Sequence, residues 1–158
     1  MHRLETLRIV NGDFADARVL ALLREHLGGM HGCSPPGTVY ALDTTALQAP
    51  EISFFTAWQG EELLGCGALK HLDASWGELK SMRTAAAHLR RGVAAQLLEH
   101  LLRVARGRGY ARVSLETGSG PAFEPALALY RKYGFENGEP FGDYQPSAFN
   151  QFLHLPLK

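Results

Sequence analysis

The sequence predicts a mixed α/β fold, with a mostly antiparallel central sheet of six to seven strands, one parallel pair of strands, and helices on both faces of the sheet. Three observations predict it. Apolar and alternating runs separated by tight turns between residues 52 and 84 indicate an antiparallel meander. A long amphipathic helical pattern then lies between two strand-like runs, which indicates a crossover connection that places those two strands parallel. A strand and a helix precede the meander, and a helix and a closing strand follow the crossover.

The first fifty residues are predicted to hold a strand over 4–10, a helix from Asp13 to about Leu27, a glycine- and proline-rich loop over 28–37 and a short helix over 42–47. Asp13 is predicted to cap its helix because a carboxylate can accept hydrogen bonds from the first backbone N–H groups. The loop is equally consistent with a simple connector and with a segment that controls access to a neighbouring site.

The meander is predicted to consist of strands over 52–58, 63–72 and 78–84, with turns at 59–61 and 73–77. Two glycines in the middle strand, Gly65 and Gly67, indicate a bulge or a close contact with another element. The third strand, ELKSMRT, alternates in character. The alternation predicts one face with Glu78, Lys80 and Met82 and the other with Leu79, Ser81 and Arg83.

The next helix is predicted to begin after Gly92 and to end at 107–109, because apolar residues recur at helical spacing from Val93 to Ala105. A helix N-terminus preceded by a glycine and two arginines, Arg90 and Arg91, can bind a phosphate through its free backbone N–H groups and its positive dipole end. The segment 83–112 carries a net charge of +6. Its arginines are equally consistent with a solvated helix face and with a site for a polyanionic cofactor.

The C-terminal part is predicted to contain a strand over 113–117, a helix over 123–133, a turn around 142–146 and a last strand over 149–155. Gly134 is expected to end the helix over 123–133, with Phe135 packing back against it. Before any resemblance is considered, Tyr130 in this helix is most simply a core aromatic.

The composition limits the function. The chain has 158 residues with 16 basic and 16 acidic side chains, so its net charge is zero, which argues against a nucleic-acid-binding protein. We expect one domain over 1–158. No apolar run is long enough to span a membrane, and the start of the chain lacks the apolar core of a signal peptide. Cys33 and Cys66 form no disulfide framework, which predicts reduced thiols and a cytoplasmic location. The histidines have no metal-ligand spacing, so we expect no metal.

Three separated pieces resemble the GNAT superfamily of acyl-CoA-dependent N-acetyltransferases: the strand ELKSMRT, the segment RRGVAAQLL, and ALALYRKYGF at 126–135. Their order and spacing are also similar to that family. The resemblance implies a GNAT-like sheet in which the parallel pair is splayed. The closing segment PFGDYQPSAFNQFLHLPL and the piece SLETGS resemble a bacterial subgroup whose acceptor the sequence does not reveal. The segment RRGVAAQLL is similar to the family's pyrophosphate-binding signature. It departs from that signature at one position, where Leu89 stands in place of the family's Gln or Arg.

The resemblance implies transfer of an acetyl group from acetyl-CoA to a primary amine of a small molecule or protein, by direct attack in a ternary complex. The alternative is a non-catalytic acyl-CoA-binding sensor on the same fold. A DNA-binding protein with an arginine-rich helix is a third interpretation, which zero net charge disfavours. The partners expected are acetyl-CoA and an amine acceptor, with no nucleic acid and no membrane. Relatives often dimerise, which is consistent with a homodimer, but the sequence leaves the oligomeric state open.

The resemblance also implies roles for individual residues. The expected cofactor-binding residues are Met82, Arg83, Thr84, Leu89, Arg90, Arg91, Gly92, Val93, Ala94 and Ala95, with a backbone N–H of Met82 or Arg83 polarising the thioester carbonyl. Tyr130 is the expected proton donor to the departing thiolate. Two carboxylates compete as the general base. Resemblance ranks Glu78 first. Geometry slightly favours Glu116, because it lies at the carboxyl end of a strand. Thr117, Asp143 and Tyr144 are candidate acceptor contacts.

Overall fold

Seven strands form one sheet in the order β1-β2-β3-β4-β5-β7-β6 in the computed structural model of the chain. The structure describes residues 7–24, 44–84, 92–142 and 144–157. The strands are β1 Arg8–Asn11, β2 Ile52–Gln59, β3 Glu62–Asp73, β4 Trp76–Thr84, β5 Arg112–Thr117, β6 Glu136–Asn137 and β7 Gln151–Pro156. The helices are α1 over 17–24, α2 Thr44–Leu47, α3 Val93–Gly107 and α4 Glu124–Lys132, and α4 is preceded by a 3-10 turn at Pro121–Phe123.

The sheet is antiparallel except for one pair of strands, β4 and β5, which run parallel on either side of α3 in the chain. This confirms the predicted mixed sheet and the predicted parallel pair. The two strands pair at three positions, the last of which joins Glu78 to Ser114. β5 then pairs along its whole length with β7. The strands β4 and β5 therefore separate beyond Glu78, which is the splay that the resemblance implied.

Helices cover both faces of the sheet, as predicted. Along β3, Ala68 packs in the cluster that contains α1 and α2, whereas Leu69 packs in the cluster that contains α3 and α4. Because successive strand residues point to opposite faces, the two groups of helices lie on opposite sides. The buried face of α3 consists of Val93, Leu97, Leu98, Leu101, Leu102 and Ala105.

The two glycines of β3 allow α3 to approach the sheet closely. A Cβ on Gly65 would lie 2.6 Å from the Arg83 carbonyl oxygen and 3.0 Å from side-chain carbons of Val93 and Leu97. A Cβ on Gly67 would lie 2.7 Å from the Met82 sulfur and 2.9 Å from a methyl carbon of Leu101. At each glycine the shortest of these distances, 2.6 Å and 2.7 Å, is too short for a real Cβ, so the predicted close contact is confirmed.

A β-bulge lies in β4 opposite Gly67. Cys66 pairs with Arg83 and Ala68 pairs with Lys80, so two steps along β3 correspond to three along β4. The extra residue reverses the alternation of side chains. Met82 consequently packs against Val93 and Leu97 on the α3 side. The prediction that Met82 shares a face with Glu78 and Lys80 was therefore wrong.

The remaining element boundaries differ from the predictions by a few residues. The turn after β3 is confined to 74–75 because β4 already begins at Trp76. The short strand β6 was not predicted, since two exposed residues carry no periodic signal. The predicted loop over 28–37 lies outside the described residues. Within the described ranges, no helix is both long and apolar enough to cross a bilayer.

Candidate active site

The separation of β4 from β5 brings several polar side chains together on the sheet face opposite α3. Glu78 and Ser114 occupy the last paired position, and Glu116 follows two residues further along β5 on the same face. Lys80 projects from the same face of β4, since it pairs with Ala68 of the α1 and α2 cluster. The site therefore has two carboxyl groups and one ammonium at the point where the sheet opens.

Glu78 is almost completely buried, with a relative exposure of 3%. Its Oε2 atom accepts a hydrogen bond from the Tyr144 hydroxyl and another from Lys80 Nζ, at 3.3 Å. Lys80 Nζ also donates to the Tyr144 hydroxyl oxygen. We call these three residues the Lys80 cluster. Glu78 and Tyr144 are both predicted site residues that the structure brings together, whereas sequence reasoning missed Lys80.

Glu116 has a different environment, although it lies close to the Lys80 cluster. Burial raises the pKa of its carboxyl to about 7, against the opposing effects of a hydrogen bond from Asn150 and the positive charge of Lys80. The negative charge of Glu78 adds to the increase. Glu116 remains partly exposed. A carboxyl group with a pKa near neutrality can both accept and release a proton at physiological pH.

A chain of hydrogen bonds anchors the C-terminal segment beside these groups. Trp76 Nε1 donates to Ser114 Oγ at 2.8 Å, and Ser114 Oγ lies 2.6 Å from His154 Nδ1. His154 Nε2 lies 2.8 Å from the Glu139 carbonyl oxygen. Since a carbonyl can only accept, His154 Nε2 donates there, and Nδ1 of the neutral ring accepts the Ser114 hydroxyl proton. Sequence reasoning missed Ser114 and His154, although both lie in the pieces that resemble the bacterial subgroup, because nothing in their local sequence shows that they contact each other.

Aromatic side chains complete this anchoring. Phe141 has ring contacts with Trp76, Tyr144, Phe152 and His154, at centroid distances between 5.5 and 5.8 Å. The rings hold the C-terminal segment against β4 and β7. Tyr144 is therefore positioned from two sides, by its hydroxyl in the Lys80 cluster and by its ring against Phe141.

The N-terminus of α3 lies beside the end of β4 that follows the bulge. A Cβ on Gly65 would meet both the Arg83 carbonyl oxygen and a side-chain carbon of Val93, so the helix start predicted to bind a phosphate and the end of β4 predicted to contact the cofactor are neighbours. Gly92 caps the helix with a φ of 84°, and a Cβ there would meet no atom within 4 Å. Leu89, Arg90 and Arg91 lie outside the described residues, whereas Gly92, Val93, Ala94 and Ala95 form the start of the helix.

The other predicted residues of β4 and of the C-terminal loops have different surroundings. Met82 and Arg83 are partly buried and Thr84 is buried. Thr117 is partly buried at the end of β5, opposite Gln151. Asp143 lies outside the described residues.

Tyr130 lies on the buried face of α4 with an exposure of 8%, and its ring packs edge-to-face on Phe135 at 5.7 Å. Burial raises the pKa of the Tyr130 hydroxyl to about 12, so the hydroxyl stays protonated at neutral pH. Tyr133, in the next turn, donates a hydrogen bond to Glu99 of α3. Within the described ranges, no group of three His, Cys, Asp or Glu side chains has the arrangement of a metal site.

Comparison with known proteins gives a consistent family. The sequence profile of the acetyltransferase (GNAT) family matches residues 19–135. The uncharacterized N-acetyltransferase YsnE of Bacillus subtilis (strain 168) is 54% identical over 145 residues, which are 92% of this chain and 96% of that protein.

Solved structures share the fold. A crystal structure from Klebsiella pneumoniae subsp. pneumoniae MGH 78578, assigned as an acyl-CoA N-acyltransferase, has a TM-score of 0.80 and 26% identity and covers 96% of this chain and 98% of its own. A Bacillus subtilis acetyltransferase in complex with CoA has a TM-score of 0.71 and 20% identity and covers 96% of this chain and 99% of its own.

The chain therefore belongs to the GNAT family of acetyltransferases. The curated relative is named an N-acetyltransferase, so the catalytic interpretation is favoured over a non-catalytic sensor. Proteins of this family use a CoA-linked acyl donor.

Proposed function

We propose that the protein transfers an acetyl group from acetyl-CoA to a primary amine by direct attack in a ternary complex, with Glu116 as the general base. The observation that carries this proposal is the position of Glu116, a partly exposed carboxyl with a pKa near 7 at the separation of β4 and β5. The amine nitrogen forms a bond to the thioester carbonyl carbon, and its proton passes to the Glu116 carboxylate. The carbon–sulfur bond then breaks.

The choice between the two carboxylates rests on their hydrogen bonds. Glu78 already accepts hydrogen bonds from Tyr144 and Lys80 and is almost inaccessible, so an amine would have to displace both donors to reach it. Glu116 has one side-chain donor, Asn150, and an accessible edge. This favours Glu116, although resemblance alone ranked Glu78 first.

The donor is proposed to lie along β4 beyond the bulge, with its diphosphate on the N–H groups of Gly92 to Ala95 and of the two preceding arginines. The bound cofactor supplies the reactive thioester. In this chain, a backbone N–H of Met82 or Arg83 polarises the thioester carbonyl, and the Tyr130 hydroxyl donates a proton to the departing thiolate. Thr117, Tyr144 and Asp143 are proposed to contact the acceptor.

The wider setting follows the sequence expectations. We propose that residues 1–158 act as one acetyltransferase domain in the cytoplasm, where the free thiol of buried Cys66 would stay reduced. A homodimer is proposed on resemblance alone, and size-exclusion chromatography with light scattering tests it.

The experiment combines acetyl-CoA with spermidine, L-lysine, phenethylamine and an alanyl tetrapeptide, and measures thiol release and acetylated product by mass spectrometry. The Glu116→Gln variant should lose about 10²- to 10⁴-fold in transfer rate, the usual contribution of a general base, and should still bind CoA. Glu78→Gln is the matched variant. Full activity in Glu116→Gln with none in Glu78→Gln would assign the base to Glu78. CoA binding without transfer to any amine would instead support the sensor alternative.

A further inference from the structure

Lys80 is a buried lysine in the middle of β4, and its side chain is 9% exposed. A buried ammonium is costly unless it is paired and hydrogen-bonded. Lys80 meets this requirement with Glu78 Oε2 at 3.3 Å and with the Tyr144 hydroxyl, and its Nζ also lies 5.0 Å from the centre of the Tyr144 ring. The lysine therefore has both of its polar partners inside the candidate acceptor site.

The three members of the Lys80 cluster satisfy one another. Tyr144 donates to Glu78, Lys80 donates to both, and the two charges of the ion pair cancel. Removing Lys80 would leave the Glu78 carboxyl buried with one donor, and would leave the Tyr144 hydroxyl without the donor on its oxygen. The ion pair thus connects Tyr144, which comes from the C-terminal segment, to a strand 64 residues earlier in the chain.

The segment 144–150 reaches both sides of the opening in the sheet. At its start Tyr144 bonds to Glu78 on β4, and at its end Asn150 bonds to Glu116 on β5. Between these points its polar contacts are internal, since the Asn150 side chain accepts from Ser147 and donates to the Gln145 carbonyl. The segment therefore bridges the separated strands and borders the proposed base.

We propose that Lys80 is a positioning residue for acceptor binding: its ammonium, by joining Glu78 to the Tyr144 hydroxyl, holds segment 144–150 across the separation of β4 and β5. This inference rests on the proposed function, in that the acceptor amine binds beside Glu116. Tyr144 then presents a fixed aromatic edge to the acceptor, and the donor site on α3 is unaffected. Glu78 acts through Tyr144 and not as the base.

The first test needs no acceptor. Hydrogen–deuterium exchange is followed by mass spectrometry on the full chain, with Lys80→Met, Tyr144→Phe, the double variant and Lys80→Arg. We expect exchange in peptides covering 144–150 to become about tenfold faster in each single variant. An increase of this size corresponds to the loss of about one charge-assisted hydrogen bond. The effects of the two substitutions should be less than additive in the double variant, because both of them remove the hydrogen bond between Lys80 and Tyr144. Lys80→Arg should restore slow exchange in part.

The second test separates positioning from a general loss of structure. Steady-state kinetics use the most active amine of the panel at a pH well above the Glu116 pKa, so that loss of the Lys80 charge leaves Glu116 ionised. Lys80→Met should then have an acceptor KM about tenfold higher, with kcat and the acetyl-CoA KM changed by less than about twofold. Lys132→Met, which removes an exposed lysine of α4, is the matched control and should behave as the wild type. Tyr144→Phe keeps the aromatic packing, so it gives the answer if Lys80→Met fails to fold.

Two results would overturn the proposal: unchanged exchange over 144–150 in Lys80→Met, or additive effects of the two single substitutions. A rise in the acetyl-CoA KM equal to the rise in the acceptor KM would also contradict it. Failure of the proposed function is recognised separately, either by full activity of Glu116→Gln or by the absence of transfer to any amine in the wild type, whatever the exchange data show.

Discussion

Glu78 of β4 and Ser114 of β5 are partners at the last position where the two parallel strands pair. One residue further along each strand, the backbones no longer share hydrogen bonds, and a cleft opens in an otherwise continuous sheet. Both side chains lie at the base of this opening and are buried. Each bonds to a residue of the C-terminal region, Glu78 to Tyr144 and Ser114 to His154. The site is therefore built where pairing stops.

The pH dependence of the reaction should report the ionisation of Glu116. Because the base must be deprotonated, kcat/KM should fall as the pH decreases through an apparent pKa of about 7, in addition to the separate ionisation of the acceptor amine. The measurement is a pH–rate profile for acetyl transfer with saturating donor. This fall in activity at low pH should be absent from the profile of the residual activity of Glu116→Gln. Its persistence there would exclude Glu116 as its origin.

The same carboxyl should affect stability. Its folded-state pKa of about 7 lies above the ordinary value of 4.5, so the native state binds this proton more tightly than the unfolded state. The resulting stabilisation is complete below the unfolded pKa and is lost as the pH rises through the folded one. Glu116→Gln should therefore be more stable than wild type by about 1–2 kcal/mol at pH 8, after allowance for solvent screening, with little of that gain near pH 4.5. Urea denaturation at both pH values checks this, and a gap independent of pH would contradict it.

Substitution Tyr130→Phe removes the hydroxyl and keeps the edge-to-face packing on Phe135. If Tyr130 protonates the thiolate, kcat should fall by about 10²-fold or more with little change in CoA affinity. Because burial raises the pKa of Tyr130 to about 12, the wild-type profile should show no alkaline limb from this group below pH 10. Single-turnover kinetics and calorimetry measure the two effects. An unchanged kcat would remove Tyr130 from the reaction.

Substitution Gly92→Ala tests the diphosphate site. Its φ of 84° is unfavourable for alanine, by about 1–2 kcal/mol, although the Cβ itself would meet no protein atom. The methyl group would point into the space where the diphosphate is proposed to lie, so the Kd for CoA should rise by calorimetry. Gly107→Ala, at the other end of α3, also has room for a Cβ and is the control. Equal CoA affinity in both variants would argue against this site.

Substitution Ser114→Ala interrupts the hydrogen-bond chain that anchors the C-terminal segment. Trp76 Nε1 and His154 Nδ1 would each lose a buried partner, so the free energy of unfolding should fall by about 1–3 kcal/mol. Ser53→Ala, which removes an exposed hydroxyl bonded to Arg108, should change it by less than about 0.5 kcal/mol. Chemical denaturation measures both. Similar values for the two variants would show that the buried chain contributes little.

Much of the fold could be predicted because periodicity is a local property. The apolar face of α3 was readable from Val93 to Ala105, and the helix between two strands required a parallel crossover. The glycines at 65 and 67 signalled the close approach of another element, which proved to be α3. The bulge in β4 could not be predicted from the alternation of residues along the strand. Where one residue is added to a strand depends on its neighbour, so the face of Met82 was predicted wrongly.

The sequence by itself determined the family, the order of the elements and the helix start that can bind a diphosphate, because these depend on residue types at short, fixed spacings. Only the tertiary structure distinguished the environments of Glu78 and Glu116. Glu78 is held by Lys80 and Tyr144 and is buried, whereas Glu116 is partly exposed with a pKa near 7. Burial and hydrogen-bond partners come from residues tens of positions away, and no local pattern contains them.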